Sequence, residues 1–130
     1  MPRQIIDAML AHARREPGVE CCGLLAGRDR EITRIFPATN AAENPATSYE
    51  IAPKEVFARM RETRAGGIEM LGIYHSHPNG KNEPSPRDIG QAYYSEAAYF
   101  IVSPRGDAEK PVRAFSIRDG QVRELEIQIV

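Results

Sequence analysis

The alternation of apolar and polar residues predicts a helix at the start of the chain, followed by a pair of strands. Apolar side chains recur at helical spacing across residues 3–15, and Pro17-Gly18 stops that helix. A short, mostly apolar stretch at residues 19–26 carries a single charge, Glu20, and a second strand is expected at residues 31–36 after a turn. Together these two stretches predict a β-hairpin.

The middle of the chain combines a polar loop, a helix and an apolar strand. Residues 37–48 are rich in turn-forming residues and predict a surface loop, with a brief strand expected at residues 49–51. A helix is expected from Pro53 to about Arg64, because proline suits the first helical position and an apolar face follows. Residues 70–74 form a continuous apolar run, which is typical of a central strand covered on both faces.

The last third of the chain predicts one further helix and three strands. The helix is expected to begin at residue 85 and to continue to about residue 96, and a buried strand follows at residues 99–103. Strands at about 111–118 and 121–129 flank Asp119-Gly120, a dipeptide typical of tight hairpins. This order of elements predicts the α/β class: a single domain over residues 1–130, with a mixed β-sheet flanked by helices.

The size and charge of the chain narrow the possible functions. A chain of 130 residues has the length of one domain and buries a core without disulfide bonds. A formal net charge of −1 gives no electrostatic basis for binding nucleic acid or an anionic membrane, and no apolar run approaches the ~20 residues of a membrane helix. Cys21 and Cys22 are adjacent and poorly placed to form a disulfide with each other, which fits a reducing compartment. We therefore expect a cytoplasmic protein that binds neither nucleic acid nor membrane.

Two of the three histidines lie at the end of the central apolar strand. His75 and His77 are two residues apart, so in an extended strand their side chains point to the same side. Ligands of α/β proteins commonly bind at this end of a strand. A third ligand would complete a zinc site with one open position. Neighbouring histidines are also common as ordinary surface or hydrogen-bonded groups, and that alternative remains open.

Three further residues extend the possible site, each with a structural alternative. Ser85 and Asp88 lie at an expected helix start, where they would form a capping box and stabilise the helix. From the same position a carboxylate can also reach a metal, and a hydroxyl can face developing negative charge. Glu20 is either an exposed glutamate at a strand end or, if its strand lies beside residues 70–77, a general base near a metal-bound water.

Other polar residues receive no functional role from the sequence. Cys21 and Cys22 are expected to be small buried residues rather than metal ligands, because adjacent strand positions point apart. His12 is expected on the surface of the first helix, among polar neighbours. Tyr49 belongs to no recognisable motif.

The candidate residues together resemble the signature of the JAMM (MPN-plus) zinc metalloproteases. That family has an upstream glutamate, then H-[S/T]-H-P and, after six further residues, S-x-x-D. The chain has Glu20, then His75-Ser76-His77-Pro78, then Ser85-Pro86-Arg87-Asp88, with no departure in type or spacing. The stretches PGVECCGLLAG and FPATNAAENP also resemble the family, so the likeness extends from about residue 5 to residue 103.

The resemblance implies a fold, a cofactor and a set of residue roles. The fold would be a cytidine-deaminase-like JAMM/MPN arrangement, with one zinc ion per chain. His75, His77 and Asp88 would be the zinc ligands, with a water in the fourth position. Glu20 would be the general base, and Ser85 would donate a hydrogen bond to the tetrahedral oxyanion.

The resemblance also implies a substrate class. Members that cut ubiquitin chains carry an insertion after the metal-binding aspartate, and the short segment between Asp88 and residue 99 leaves no room for one. The chain therefore resembles the compact prokaryotic members, which cut the amide bond after the Gly-Gly tail of small ubiquitin-like or sulfur-carrier proteins. Two alternatives remain open: a RadC-like nucleic-acid-associated protein with a similar H-x-H-P motif, and a non-catalytic MPN interaction scaffold. The sequence does not indicate the oligomeric state.

Overall fold

A six-stranded mixed β-sheet forms the centre of the computed structural model, which describes all of residues 1–130. The strands are β1 (Cys22–Arg28), β2 (Glu31–Ala38), β3 (Glu69–Ser76), β4 (Ala98–Val102), β5 (Val112–Arg118) and β6 (Gln121–Leu125). Their order across the sheet is β2-β1-β3-β4-β5-β6, with β3 and β4 parallel and every other neighbouring pair antiparallel. The helices are α1 (Arg3–Arg15), α2 (Pro53–Ala65) and α3 (Pro86–Gly90).

The predicted class, a mixed sheet flanked by helices, is confirmed. β3 lies between β1 and β4, and its last five residues are buried, as expected for a central strand. The hairpin of β5 and β6 turns at Asp119 (φ 51°) and Gly120 (φ 77°), two left-handed residues that make the tight turn typical of the Asp-Gly pair. None of the three helices has the length and apolar character needed to cross a membrane.

The sheet carries a separate hydrophobic core on each face. On one face Met9 of α1 packs in the same buried cluster as Leu25 and Tyr74. On the other face Leu24 and Ile73 belong to a second cluster. Because successive strand residues alternate between faces, the histidines that follow Ile73 at steps of two lie on this second face, away from α1.

Gly23 allows the ring of Tyr74 to lie against β1. A Cβ atom at position 23 would lie 2.3 Å from Cε1 of Tyr74 and 2.5 Å from its hydroxyl oxygen. We therefore expect Gly23→Ala to displace the ring and to lower the free energy of unfolding by about 1–3 kcal/mol, measured by urea denaturation. Gly18→Ala is the matched control, because no atom lies within 4 Å of its added Cβ. Equal stability of the two variants would contradict this packing.

Three predicted elements differ from the structure. The helix expected to reach residue 96 ends at Gly90, because Gln91 leaves the helical conformation (φ −109°, ψ 17°) and glycine is a poor helix former. No strand forms at residues 49–51, because the backbone groups of Glu50 bond within the preceding loop rather than to a strand. β6 ends at Leu125, after which the chain bonds to the N-terminus: the Met1 ammonium donates to the carbonyl of Gln128 at 3.0 Å.

The expected surface position of His12 is wrong. This side chain is 3% exposed and packs between α1 and the sheet. Its Nδ1 lies 2.7 Å from the hydroxyl of Tyr74, and its Nε2 lies 2.8 Å from a carboxylate oxygen of Glu16. The sequence around His12 does not show that its ring is buried, because Tyr74, the partner from β3, lies in a distant part of the chain.

Candidate metal centre

Two neighbouring antiparallel strands bring Glu20 close to the histidine pair. Cys22 of β1 pairs with His75 of β3. The same register continued by two residues places Glu20, just before β1, opposite His77, just after β3. The arrangement under which Glu20 was expected to reach a metal-bound water, a strand beside residues 70–77, is the one observed. The alternative that Glu20 is an exposed strand-end residue is wrong, because it is only 7% exposed.

The residue between the two histidines holds this juxtaposition in place. Ser76 points to the opposite side of β3 and is buried. Its hydroxyl oxygen accepts a hydrogen bond from the backbone N–H of Cys21 at 2.9 Å, and its own N–H donates to the Cys21 carbonyl at 2.9 Å. The hydroxyl oxygen of Ser76 therefore binds the segment that carries Glu20 to the end of β3. Reasoning from the sequence missed this role, although the serine-or-threonine restriction in the motif was its available clue.

Asp88 enters the site from the first turn of α3. Its backbone N–H donates to the Ser85 hydroxyl oxygen at 3.1 Å, and its Oδ2 accepts from the Ser85 N–H at 2.9 Å, which completes a capping box. The same Oδ2 lies 3.0 Å from Nε2 of His77 and 3.3 Å from Nε2 of His75. The capping interpretation and the metal interpretation of this segment are therefore compatible: the cap fixes the carboxylate beside the histidines.

Four side chains converge with the spacing of metal ligands. Glu20, His75, His77 and Asp88 each offer one ligand atom, and these atoms lie within 4.8 Å of one another. The two Nε2 atoms are 3.1 Å apart. Ligands at about 2.0–2.1 Å from a tetrahedral zinc ion lie about 3.3 Å from each other. The two imidazoles and the Asp88 carboxylate therefore match a zinc site in both chemistry and spacing.

Lone pairs of histidine and carboxylate groups point into this cluster, and no positive charge among its side chains balances them. Nδ1 of His77 lies 2.7 Å from the carbonyl oxygen of Lys81. Because a carbonyl only accepts, Nδ1 carries the proton, and in the neutral ring Nε2 directs a lone pair at the cluster. Oε1 of Glu20 is buried with no hydrogen-bond partner. A divalent cation among these lone pairs would satisfy groups that are otherwise costly to bury together.

Burial and mutual charge shift the acidities of these groups. Burial raises the pKa of Glu20 to about 7, with His77 opposing and Asp88 reinforcing the change. Burial also lowers the pKa of His75. Burial opposes ionisation of Asp88, yet the two imidazoles beside it and the Ser85 N–H hold the pKa of that carboxyl well below its usual range. The cluster thus combines an ionised carboxylate with a second carboxyl able to exchange protons near neutral pH.

The two cysteines take no part in the cluster. Cys21 and Cys22 are free and buried, as expected for small core residues. Burial raises the pKa of the Cys21 thiol to about 11 and that of Cys22 to about 12. Both side chains are therefore neutral thiols at physiological pH, whereas a metal ligand would be a thiolate.

Tyr49 is a neighbour of the cluster that reasoning from the sequence missed. Its ring stacks on the imidazole of His75, with the centroids 4.2 Å apart and the planes inclined by 18°. Tyr49 lies in the loop between β2 and α2, and the path of that loop depends on hydrogen bonds between distant residues. No pattern in the sequence indicated this contact.

Comparison with known families and proteins agrees with this geometry. The model of the prokaryotic homologues of the JAB domain matches residues 2–118. A probable TtuB-protein conjugate cleaving protease from Thermus thermophilus is 38% identical over 121 residues, 93% of this chain and 77% of that protein. A desampylase from Haloferax volcanii is 36% identical over 129 residues, 95% of this chain and 90% of that protein. A CysO-cysteine peptidase from Mycobacterium tuberculosis is 36% identical over 128 residues, 97% of this chain and 87% of that protein.

Solved structures share the fold. The solution structure of protein DSY2949 from Desulfitobacterium hafniense superposes with a TM-score of 0.86 at 32% identity, covering 99% of this chain and 90% of that one. A JAB1/MPN domain protein from Archaeoglobus fulgidus superposes with a TM-score of 0.66 at 17% identity, covering 99% of this chain and 93% of that one. The chain therefore belongs to the prokaryotic branch of the JAB-domain (JAMM/MPN) family and is a metallopeptidase.

Proposed function

We propose that this protein is a zinc-dependent peptidase or isopeptidase that hydrolyses the amide bond after the C-terminal Gly-Gly tail of a small ubiquitin-like or sulfur-carrier protein. The observation that carries the proposal is the convergence of Glu20, His75, His77 and Asp88 within 4.8 Å of one another. Three of these side chains suit a metal, and the fourth is a buried carboxyl with an unpartnered oxygen.

Three of these residues would bind the metal, and the fourth, Glu20, would transfer protons. His75, His77 and Asp88 would hold the ion through their two Nε2 atoms and one carboxylate oxygen. A bound zinc ion would supply Lewis acidity and lower the pKa of the attacking water towards ~7. Glu20 would take a proton from the attacking water as its oxygen adds to the carbonyl carbon, and would deliver that proton to the nitrogen as the C–N bond breaks, which returns the carboxylate to its starting state. Burial, which raises the pKa of Glu20 to about 7, favours both transfers at neutral pH.

Ser85 would stabilise the negative charge that develops on the carbonyl oxygen. Its hydroxyl oxygen already accepts the backbone N–H of Asp88. A hydroxyl group has one donor and two acceptor positions, so this bond leaves its proton available to a third group. The cap holds the hydroxyl next to the residue that supplies a metal ligand, which is where an oxyanion donor is required.

Removal of the Ser85 hydroxyl should affect turnover more than stability. We expect Ser85→Ala to lower kcat about 10²- to 10³-fold through loss of one oxyanion donor, and to cost about 1 kcal/mol of stability through loss of the cap. Ser85→Gly separates the two effects, because glycine retains most of the capping preference but has no hydroxyl. Steady-state cleavage and thermal unfolding of both variants check this expectation. Full turnover by Ser85→Gly would exclude the hydroxyl as the oxyanion donor.

The relatives support a small protein as the substrate. One is named for cleaving TtuB-protein conjugates, and another for the CysO-cysteine linkage. The Gly-Gly tail itself comes from the resemblance to compact JAMM proteins. An extended tail can bind by adding a strand to a sheet edge, and glycines allow its backbone to approach an ion closely.

The edge strand β2 offers a route for such a tail. Its last residue, Ala38, pairs with Cys22, which pairs in turn with His75. A peptide alongside this end of β2 would therefore lie at the same end of the sheet as the metal ligands. The other edge, β6, lies three strands from β3 instead of two.

No observation favours the two non-peptidase alternatives. A non-catalytic scaffold would be expected to lack at least one ligand, whereas the candidate positions retain both imidazoles and both carboxyl groups. A RadC-like role on nucleic acid has no support from a net charge of −1. A DNA titration at several salt concentrations separates this second alternative, because phosphate contacts make binding strongly salt-dependent.

A cleavage assay on defined conjugates tests the proposal. Small Gly-Gly-tailed proteins of the host would be linked through the tail to a lysine side chain, to a cysteine or to a short C-terminal extension. We expect the zinc-loaded protein to release the intact Gly-Gly carboxylate, identified by mass, and expect a chelator to stop the reaction until zinc is restored. Substrates with Ala-Ala in place of Gly-Gly are the matched control. Failure to cut any Gly-Gly conjugate, or cutting that a chelator does not affect, would overturn the proposal.

A further inference from the structure

Residues 39–50, in the loop between β2 and α2, carry a ring that stacks on one histidine of the cluster. His75 is 1% exposed, and its Nδ1 is buried without a hydrogen-bond partner. His77 differs, because its Nδ1 is held by the Lys81 carbonyl. The ring of Tyr49, stacked on the His75 imidazole, is a contact that restricts rotation of that imidazole.

The side-chain amide of Asn40 holds Tyr49 in place from both sides. Its Nδ2 donates to the carbonyl of Ser48 at 2.9 Å, and its Oδ1 accepts from the N–H of Glu50 at 3.2 Å. The two peptide groups flanking Tyr49 are thus bound to one planar group. Ser48 is further fixed by its hydroxyl, which donates to the carbonyl of Asn44 at 3.1 Å.

The same amide reaches the segment that carries Glu20. Nδ2 of Asn40 also donates to the Glu20 carbonyl at 2.8 Å. The N–H of Glu20 donates to the carbonyl of Pro45, in the same loop, at 2.7 Å. Both backbone polar groups of Glu20 are therefore bound to residues 39–50 rather than to the sheet.

We propose that Asn40 and Tyr49 are positioning residues: Tyr49 fixes the plane of the His75 imidazole for metal binding, and Asn40 holds Tyr49 and Glu20 in one fixed relation. This inference rests on the proposed metal site. The second ring nitrogen of a metal-bound histidine usually has a hydrogen-bond partner that sets the ring orientation. At His75 the stacked ring performs that orienting role. Neither residue needs to touch the reacting atoms.

Metal affinity separates a positioning role of Tyr49 from simple packing. We expect Tyr49→Leu to weaken zinc binding about 10- to 100-fold, the range typical of lost outer-shell partners, in competition with a chromophoric chelator. We expect Tyr49→Phe, which keeps the ring, to restore wild-type affinity, and the visible spectrum of the cobalt-substituted protein to change only in the leucine variant. Tyr93→Leu is the matched control, since Tyr93 is 77% exposed. Unchanged affinity and an unchanged cobalt spectrum in Tyr49→Leu would overturn the role assigned to Tyr49.

Asn40→Asp tests the role of Asn40, because it keeps the shape of the side chain but replaces the Nδ2 donor by an oxygen that faces the carbonyls of Glu20, Pro45 and Ser48. We expect weaker zinc binding through Tyr49 and, at saturating zinc, a lower kcat with little change in KM through Glu20. Asn44→Asp is the control in the same loop, because the Asn44 side chain is exposed and makes no hydrogen bond. A variant that loses only thermal stability, with zinc affinity and kcat unchanged, would overturn the role of Asn40.

A double-mutant cycle shows whether the two residues act together. If Asn40 acts on zinc through Tyr49, then Asn40→Asp combined with Tyr49→Leu weakens zinc binding no more than Tyr49→Leu alone. Additive losses would overturn the coupling. These outcomes are distinct from failure of the proposed function, which would appear in the unsubstituted protein as the absence of zinc binding or of cleavage.

Discussion

Replacement of Glu20 by glutamine should slow hydrolysis by orders of magnitude and leave the metal in place. Glutamine has nearly the same shape as glutamate but cannot accept a proton from water, so we expect kcat to fall about 10²- to 10⁴-fold, the usual contribution of general acid–base catalysis. Glu20 is proposed as a proton carrier and not as a ligand, so the zinc content per chain should be unchanged. Steady-state cleavage together with metal analysis of the same preparation measures both quantities.

Glu43→Gln is the matched control for this experiment. Glu43 is exposed in the loop that follows β2, and its neutralisation changes the net charge by the same amount. We expect wild-type turnover from this variant. Unimpaired cleavage by Glu20→Gln would exclude Glu20 as the general base, and loss of zinc from that variant would show that its carboxylate binds the ion.

Replacement of Asp88 by asparagine should weaken zinc binding itself, whereas the Glu20→Gln variant should keep its zinc. Asparagine retains an oxygen that can accept the N–H of Ser85, so the cap on α3 is largely preserved. The neutral amide is a much weaker zinc ligand than a carboxylate. Loss of an outer-shell partner alone typically costs 10- to 100-fold in metal affinity, so we expect zinc binding to weaken by more than ~100-fold. Cleavage at stoichiometric zinc should be lost with it.

Asp107→Asn is the control for the loss of one carboxylate. Asp107 is exposed and pairs only with Arg105 on the surface. Its replacement should leave zinc affinity and turnover at the wild-type level. Tight zinc binding by Asp88→Asn would mean that the third ligand is a different group and that Asp88 serves only as the helix cap.

The sequence predicted the central strand and the hairpins because these elements depend on local patterns. The apolar run of β3 indicates a buried strand, and the pair Asp119-Gly120 indicates a hairpin turn, without knowledge of the rest of the chain. Most of the candidate site could also be predicted from the sequence, because β3 carries both histidines and α3 begins at the S-x-x-D segment. Two short motifs thus provided three of the four side chains in the cluster.

The side-chain positions that the sequence did not predict depend on contacts between distant residues. The ring of His12 is buried against the hydroxyl of Tyr74, and Tyr49 stacks on His75 from a loop in which Asn40 binds the peptides on both sides of Tyr49. The burial of Glu20 likewise follows from the register between β1 and β3. Polar residues that find partners in the tertiary structure are misjudged by local patterns, since the sequence shows the polar group but not its partner.

Anomalous diffraction at the zinc edge, from crystals grown with zinc, is the most direct test of the metal centre. We expect one peak per chain, about 2.0–2.2 Å from Nε2 of His75, from Nε2 of His77 and from a carboxylate oxygen of Asp88. The Glu20 carboxylate should lie beside the open position without bonding to the ion. No peak at this position under saturating zinc, or a peak bound by other side chains, would contradict the proposed site and the hydrolysis built on it.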